Sequence, residues 1–277
     1  MKLRLWQVDA FSSKSLAGNP AAVVPLERWL PDDVMQAIAA ENNLAETAFF
    51  TETGEDQYDL RWFAPTLEVD LCGHATLASA WVLFNVLRPS LVRAKFKTRS
   101  GDLAVERSDG GYAMSLPSGP TKPFSAPVKF VDALALALST SPPSELHIAE
   151  KGGAGTRSLI GVWKTQDQIV ALKPVGDLAG LLDQIGYRSL IVTAAGDGKP
   201  YDVVSRFFAP HYGVPEDPVT GSAHATLTPF WAKRLGKKVL YARQASARGG
   251  DLCCTDAGGC TILQGDCALY MTAEIEV

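Results

Sequence analysis

Apolar residues recur along the chain with two periods. In "LPDDVMQAIAAENNL" they fall three and four apart, with Val34, Ala37, Ile38 and Glu41 along one face and Asp32–Asp33 ahead of them. Acidic residues in a first turn and a 3.6-residue period predict a helix, which Asn42–Asn43 would end. Short runs of mixed or alternating character, "LRLWQVDAF", "TAFFT", "YDLRWF", "AKFKTRSGDLAVER" and "GYAMSL", predict strands and hairpins. In the second half "SLIVTAAGDG" and "YDVVSRFFA" predict strands, and "VDALALAL" and "DLAGLLDQIG" short helices. Each half also holds one longer apolar helix, "GHATLASAWVLFNVL" and "GSAHATLTPFWAKRLG". The first is apolar nearly all round, as a helix enclosed by a sheet would be.

The two long helices end a repeated phrase. "RWFAPTLEVDLCGHATL" begins at Arg61 and "RFFAPHYGVPEDPVTGSAHATL" at Arg206. Both copies run from Arg, two aromatics, Ala and Pro to a glycine at the start of a helix. Between them lies "PSGPTKPFSAP" (Pro117 to Pro127), proline-rich and without a hydrophobic period, which reads as an exposed connector. Two halves of like construction follow. Gly73 and Gly221 stand at the helix starts, where backbone N–H groups lack helical partners and the macrodipole is positive. Each start is an anion site in waiting, and the duplication would place two of them about one pocket.

Bulk properties narrow the function. The chain has 277 residues, 47% hydrophobic and 20% charged, the balance of a globular protein with a full core. A net charge of −4 provides no basic field for nucleic acid or an acidic membrane surface. The N-terminus lacks the pattern of a secretory signal, and the run Ala75 to Leu87 falls short of a membrane span. The expected location is cytoplasmic, which suits five reduced cysteines: Cys72, Cys253, Cys254, Cys260 and Cys267. The last four lack paired metal knuckles and read as small buried hydrophobes. "KGGAGTR" (Lys151 to Arg157) lacks the Lys-Ser/Thr end of a phosphate loop and reads as a plain loop.

Candidate chemistry gathers at the helix starts. Glu46 lies in "NLAETAFF", between a helix end and a strand; His74 follows "CG"; Asp217 and Ser222 lie in "EDPVTGSAH". Singly, each has a structural explanation: turn residue, core histidine, loop acceptor, N-cap. Ser222, His224 and Asp217 do not make a hydrolase triad, because "TGSAH" is not a nucleophile elbow and residues two apart on a helix diverge. Together the four suit proton transfer. A carboxylate among Leu44, Ala48 and Phe49 would have its pKa raised by desolvation, near the value a general base needs.

"AGNPAAVV", "NLAETAFF", "RWFAPTLEVDLCGHATLASA", "SRFFAPHYGVPEDPVTGSAHATLTPFW" and "QASARGGDL" closely resemble the PhzF-like (phenazine biosynthesis-like) family, in order, from Asp9 to Gly250. The resemblance implies an α/β fold of the diaminopimelate-epimerase type: two pseudo-symmetric domains, each a mixed sheet curled around a central helix. The domains would be 1–117, with a returning C-terminal strand 267–277, and 118–266, with the active site in the cleft between them. It implies a cofactor-free isomerase acting on a small carboxylate-bearing metabolite, and a homodimer. Carried over by motif, Glu46 moves the proton, while His74, Asp217 and Ser222 bind and polarise the substrate. Gly18, Asn19, Pro20, Gly73, Gly221, Arg248, Gly249 and Gly250 would line the pocket through backbone donors.

Two departures stand out. Ala45 occupies a position where the family often has Ser, a change expected to alter only pocket hydrogen bonding. The related epimerases place one cysteine at each helix start; here Cys72 stands at the first and Thr220 at the second, against a two-thiol racemase. Two alternatives remain open at this level: a binding protein that keeps the pocket without turnover, and an amino-acid epimerase with Asp217 as second base.

Overall fold

A computed structural model describes residues 1–149 and 157–277, so "KGGAGTR" falls, except for Arg157, outside the described residues. The chain divides into two units, Met1–Ser115 with Ile262–Val277, and Leu116–Thr261. The first runs β1 (Lys2–Ala10), β2 (Asn19–Leu26), α1 (Asp32–Asn42), β3 (Glu46–Gly54), β4 (Gln57–Phe63), β5 (Glu68–Val69), α2 (Gly73–Val82), β6 (Arg93–Thr98), β7 (Gly101–Ser108) and β8 (Gly111–Pro117).

Helix α1 forms where the acidic first turn predicts it and stops at Asn43, whose left-handed φ of 49° breaks the helical ladder. The buried face differs from the one read off the sequence. Met35, Ile38 and Ala39 are buried and Ala37 is exposed, because the helix rolls its long methionine onto the sheet beside Ala22, Val24, Phe49 and Phe63. Side chains alternate along a strand. The remaining set, with Asn19, Ala21 and Val23 on β2 and Glu46 and Ala48 on β3, therefore points to the opposite face, where α2 lies. Helix α2 is buried on nearly every side, from His74 to Val82, and continues as a π-helical turn, Leu83–Leu87. Its buried hydroxyls are satisfied from within: Thr76 donates to the Cys72 carbonyl at 2.6 Å and Ser79 to that of Ala75 at 2.7 Å.

The second unit begins at Leu116, immediately before the proline-rich stretch. That stretch is more than a connector, since it holds strand β9 (Thr121–Pro123), paired with β10 (Glu145–Ala149) across helix α3 (Val128–Ala137). Proline is tolerated there because a strand edge asks for no N–H on its outer side. Then come β11 (Ser158–Val162), α4 (Gln166–Ala171), α5 (Leu178–Asp183), β12 (Ser189–Ala195), β13 (Val203–Ala209), β14 (Val214–Asp217), α6 (Gly221–Leu235), β15 (Val239–Gln244) and β16 (Gly250–Asp256); β17 (Cys260–Gly265) passes out of this unit after Thr261, and β18 (Cys267–Glu276) belongs to the first. Helix α4 escaped the pattern reading. Six residues are too few for a period, and a capping box between Thr165 and Gln168 starts it.

Pairing repeats between the units strand for strand. β2 and β3 are parallel, β3 and β4 antiparallel, β4 pairs with short β5 and runs parallel to β6, and β6 turns back into β7. β11 to β16 reproduce that series, with β14 in the place of β5. The pairing within each unit is mixed, and each unit sends one buried helix, α2 or α6, out of its short strand. On its other side from β11, β10 pairs antiparallel with β9, its chain neighbour; on its other side from β2, β1 pairs antiparallel with β18, from the far end of the chain, from Lys2–Glu276 to Ala10–Cys267 with a bulge between Gln7 and Val8.

Pro229 interrupts α6 without breaking it. A proline has no N–H for the carbonyl four residues back, here that of Ala225. Thr261 supplies the missing donor, its Oγ1 lying 3.2 Å from that oxygen.

Candidate active site

In the first unit, strand alternation and one helix start bring three polar side chains together. Asn19 opens β2, Glu46 opens β3, and His74 is the second residue of α2. Asn19 Nδ2 lies 3.1 Å from His74 Nδ1, and both residues are buried. With the amide donating, neutral His74 carries its proton on Nε2, which stands 3.1 Å from Glu46 Oε2. That approach is off hydrogen-bond alignment, so this buried carboxylate oxygen accepts no hydrogen bond among the described residues. Cys72 precedes α2 without capping it through its side chain, and the N–H groups of Gly73 and Ala75 have no partner inside the helix. Gly18 makes the turn into β2 with φ +68°, where a Cβ would strike the Ala10 carbonyl. Pro20 follows on β2 and, having no N–H, cannot serve as the backbone donor the motif suggested.

In the second unit a denser network surrounds Asp217. Thr220 Oγ1 donates to Asp217 Oδ2. Gln244, fully buried on β15, donates from Nε2 to the Asp217 carbonyl at 2.6 Å and to Thr220 Oγ1 at 3.1 Å, and accepts from Thr220 N at 2.8 Å. Ser246 Oγ donates to the Pro218 carbonyl and accepts from Gly249 N at 3.0 Å. The Gly249 N–H is thereby spent inside the protein, a correction to its expected role as a pocket donor. Gly249 has φ +65°, and a Cβ there would meet the Arg243 guanidinium. Gly250 pairs with Gln244 in the β15–β16 ladder. The "QASARGG" segment that carries Arg248 thus braces the loop into α6, where Gly221 and half-buried Ser222 form the first turn. Gln244 was missed as a site residue because its value lies in contacts with a loop more than twenty residues away, and Thr220, read only as the residue in place of a cysteine, proves to hold Asp217 three positions before it. Gln244→Ala removes the acceptor of the buried Thr220 N–H and a donor to the Asp217 carbonyl, and is expected to cost about 2 kcal/mol in chemical denaturation.

The structure brings Glu46, His74, Asn19 and Gly73 together in one unit, and Asp217, Gly221, Ser222 and the 246–250 turn together in the other. It also corrects the repeat. The "HATL" words are two residues out of phase on their helices: His74 directly follows its glycine, whereas His224 follows Gly221 by three. By position along the helix Ser222 matches His74, and His224 matches Thr76. Accordingly His224 Nδ1 lies 2.8 Å from the carbonyl of Thr220, the residue before the helix, and Thr76 Oγ1 lies 2.6 Å from that of Cys72. Burial holds the His224 pKa down to about 4. The unfolded chain takes up a proton near pH 6.5 that the native state refuses until about pH 4. Stability is therefore complete above pH 6.5 and falls as the pH drops toward 4. His224→Gln is expected to flatten that part of the acid limb in melts across this range.

Glu46, Cys72 and His74 place donor atoms within 4.8 Å of one another, the one such trio among the described residues. Their geometry divides the imidazole. The carboxylate sits at Nε2, while Cys72 Sγ is nearer Nδ1 (3.4 Å) than Nε2 (3.9 Å) and Asn19 shares Nδ1. A cation on either nitrogen would have one of the two beside it, so the trio fits an acid–base pair with a neighbouring thiol better than a metal cage. Burial pushes the Cys254 thiol up to about 12 and raises that of Cys253, keeping both as protonated, packed groups.

A family model described as phenazine biosynthesis-like protein matches residues 8–259. An uncharacterised isomerase of Pseudomonas aeruginosa is 44% identical over 277 residues, spanning the whole of both chains. The crystal structure of a phenazine biosynthesis protein of the PhzF family from Enterococcus faecalis superposes with a TM-score of 0.89 at 39% identity, again over both whole chains. A hydroxyproline epimerase from Agrobacterium vitis shares the fold alone, with a TM-score of 0.61 at 9% identity over 99% of this chain and 92% of its own.

Proposed function

Since the chain belongs to the phenazine biosynthesis-like protein family, we propose that it is an isomerase that moves a proton within a small carboxylate-bearing metabolite by acid–base catalysis, without a cofactor. The observation that carries this reading is the half-buried Glu46 carboxylate: its Oε2 is buried, accepts no hydrogen bond among the described residues, and is flanked at 3.1 Å by His74. A buried acceptor left without a donor calls for an explanation, and a base that must take a proton from carbon supplies one.

The step balances within the substrate. Glu46 takes a proton from a carbon conjugated with the substrate carboxylate, and the electron pair of the broken C–H bond spreads toward that carboxylate. The N–H groups and positive dipole end of α2 stabilise the charge that develops. His74, its Nε2 proton oriented by Asn19, serves as the neighbouring donor. Neutral Glu46 then returns the proton to a different carbon, so the product has the same composition. Asp217 and Ser222 bind polar groups of the substrate at the start of α6.

The test is solvent exchange. The protein in D2O is offered a panel of unsaturated and hydroxy carboxylates, each followed by NMR, with thermal shifts measured in parallel. Deuterium entering at a defined carbon as the double bond moves is the expected result. A ligand that raises the melting temperature while no carbon of any ligand exchanges would replace this reading with one of binding alone.

A further inference from the structure

The repeated phrase contains a charge pair in each copy, and the structure builds both pairs alike. Arg61 on β4 forks onto Glu68 of β5, with Nε and Nη2 at 2.7 and 2.8 Å from the two carboxylate oxygens. Arg206 on β13 forks onto Glu216 of β14 at the same two distances. The side chains are largely buried: 19% and 12% exposed in the first pair, 9% and 20% in the second. Between the Pro of the phrase and this glutamate the second copy holds three extra residues. The fork survives that insertion.

The two strands that carry the glutamates are poor at fixing themselves. β5 has two residues. β14 has four and is bulged, with Asp217 opposite Phe207 and Val214 opposite Ala209, so that two of its residues face Phe208. A slip by one residue turns every side chain of a strand to the other face. Glu216 and Asp217 are neighbours and point oppositely. Holding Glu216 on the Arg206 side is what holds Asp217 on the side of Thr220 and the start of α6. Val69 occupies the equivalent place in the first unit, opposite Trp62, and the strand leads directly to Cys72, Gly73 and His74.

We propose that Arg61–Glu68 and Arg206–Glu216 are register pins, positioning pairs that decide which residues of β5 and β14 face the two helix starts. The second pin has the larger task. Its bulged strand presents an ionisable residue, and the remaining arm of Arg206 donates to the Leu172 carbonyl at 2.6 Å, tying the pin to the end of α4. The first is reinforced, since Glu68 also takes Arg99 at 2.7 Å and Arg61 also donates to Asp32. That the pins serve catalysis rests on the proton-transfer reading above; that they set register does not.

The test uses the full chain and needs no substrate. Replacing the whole second pin by apolar side chains of similar reach, Arg206→Met with Glu216→Met, removes the fork without stranding a buried charge. Amide hydrogen exchange is followed at residues 217–222 and, as the internal control, at 69–74, alongside the melting temperature. The expected result is exchange at least tenfold faster in 217–222, unchanged in 69–74, with the melt little altered. A pair that only adds stability would lower the melt and leave 217–222 as protected as before, and that result overturns the proposal. Arg206→Lys keeps the charge but offers a single ammonium in place of the fork. It decides the matter if the double variant fails to fold: faster exchange confined to 217–222 supports the pin, and exchange unchanged or raised throughout the unit overturns it.

Discussion

Glu46→Gln is expected to lower solvent-deuterium incorporation by about 10²–10⁴-fold, the range that a positioned general base contributes. The change is nearly isosteric and leaves the backbone of β3 in its parallel register with β2, Ala21 beside residue 46. What it removes is the acceptor. An amide oxygen is far too weak a base to take a proton from carbon, and Nε2 of His74 already carries a proton in the arrangement set by Asn19. Because Oε2 accepts no hydrogen bond among the described residues, the amide displaces no partner, and stability should change by less than about 1 kcal/mol. NMR exchange on a responsive substrate and a thermal melt of the same sample check both halves. Exchange retained within tenfold would move the base elsewhere, whereas loss of exchange together with a large fall in the melt would mean that the substitution acted through the fold.

Arg206→Met alone should behave quite differently from the paired replacement. It strands Glu216, whose carboxylate is left largely buried with neither of the two N–H groups it now accepts. It also frees the Leu172 carbonyl at the end of α4. Removing one partner of a buried pair typically costs about 3–5 kcal/mol, and chemical denaturation should show a loss of that order. Arg61→Met is expected to cost clearly less, because Arg99 remains on Glu68 and Asp32 is mostly exposed. Equal losses at the two sites would mean that burial and the tie to α4 carry no weight.

Much of this was legible along the chain because it depends on near neighbours. Asp32–Asp33 and Asn42–Asn43 bound α1, the glycines open α2 and α6, and the residues around "CGHAT" and "EDPVTGSAH" identify the family. The failures share one cause, that a reader of the chain sees spacing but not phase. The repeated "HATL" shows a shared phrase but not that its two-residue offset from the glycine, more than half a helical turn, turns the buried imidazole of His224 to the Thr220 carbonyl. The α1 face was misjudged by one position for the same reason, since the sheet beneath chose Met35 over Val34. Gly249 could be seen as a motif residue, but not that Ser246 would take its N–H.

By itself, then, the sequence determined most of the elements, with α4 and β9 among the exceptions, and the repeated phrase that leads into each long helix, since these follow from propensities and patterns within about a dozen residues. The tertiary structure alone decided which groups meet. Nothing near β1 says that its partner is β18, where β10 takes adjacent β9, and nothing near Glu46 says that its carboxylate stops 3.1 Å from His74. Such meetings depend on which strand edges remain unpaired and which sheet face a helix covers, and the packing of the whole unit settles both at once.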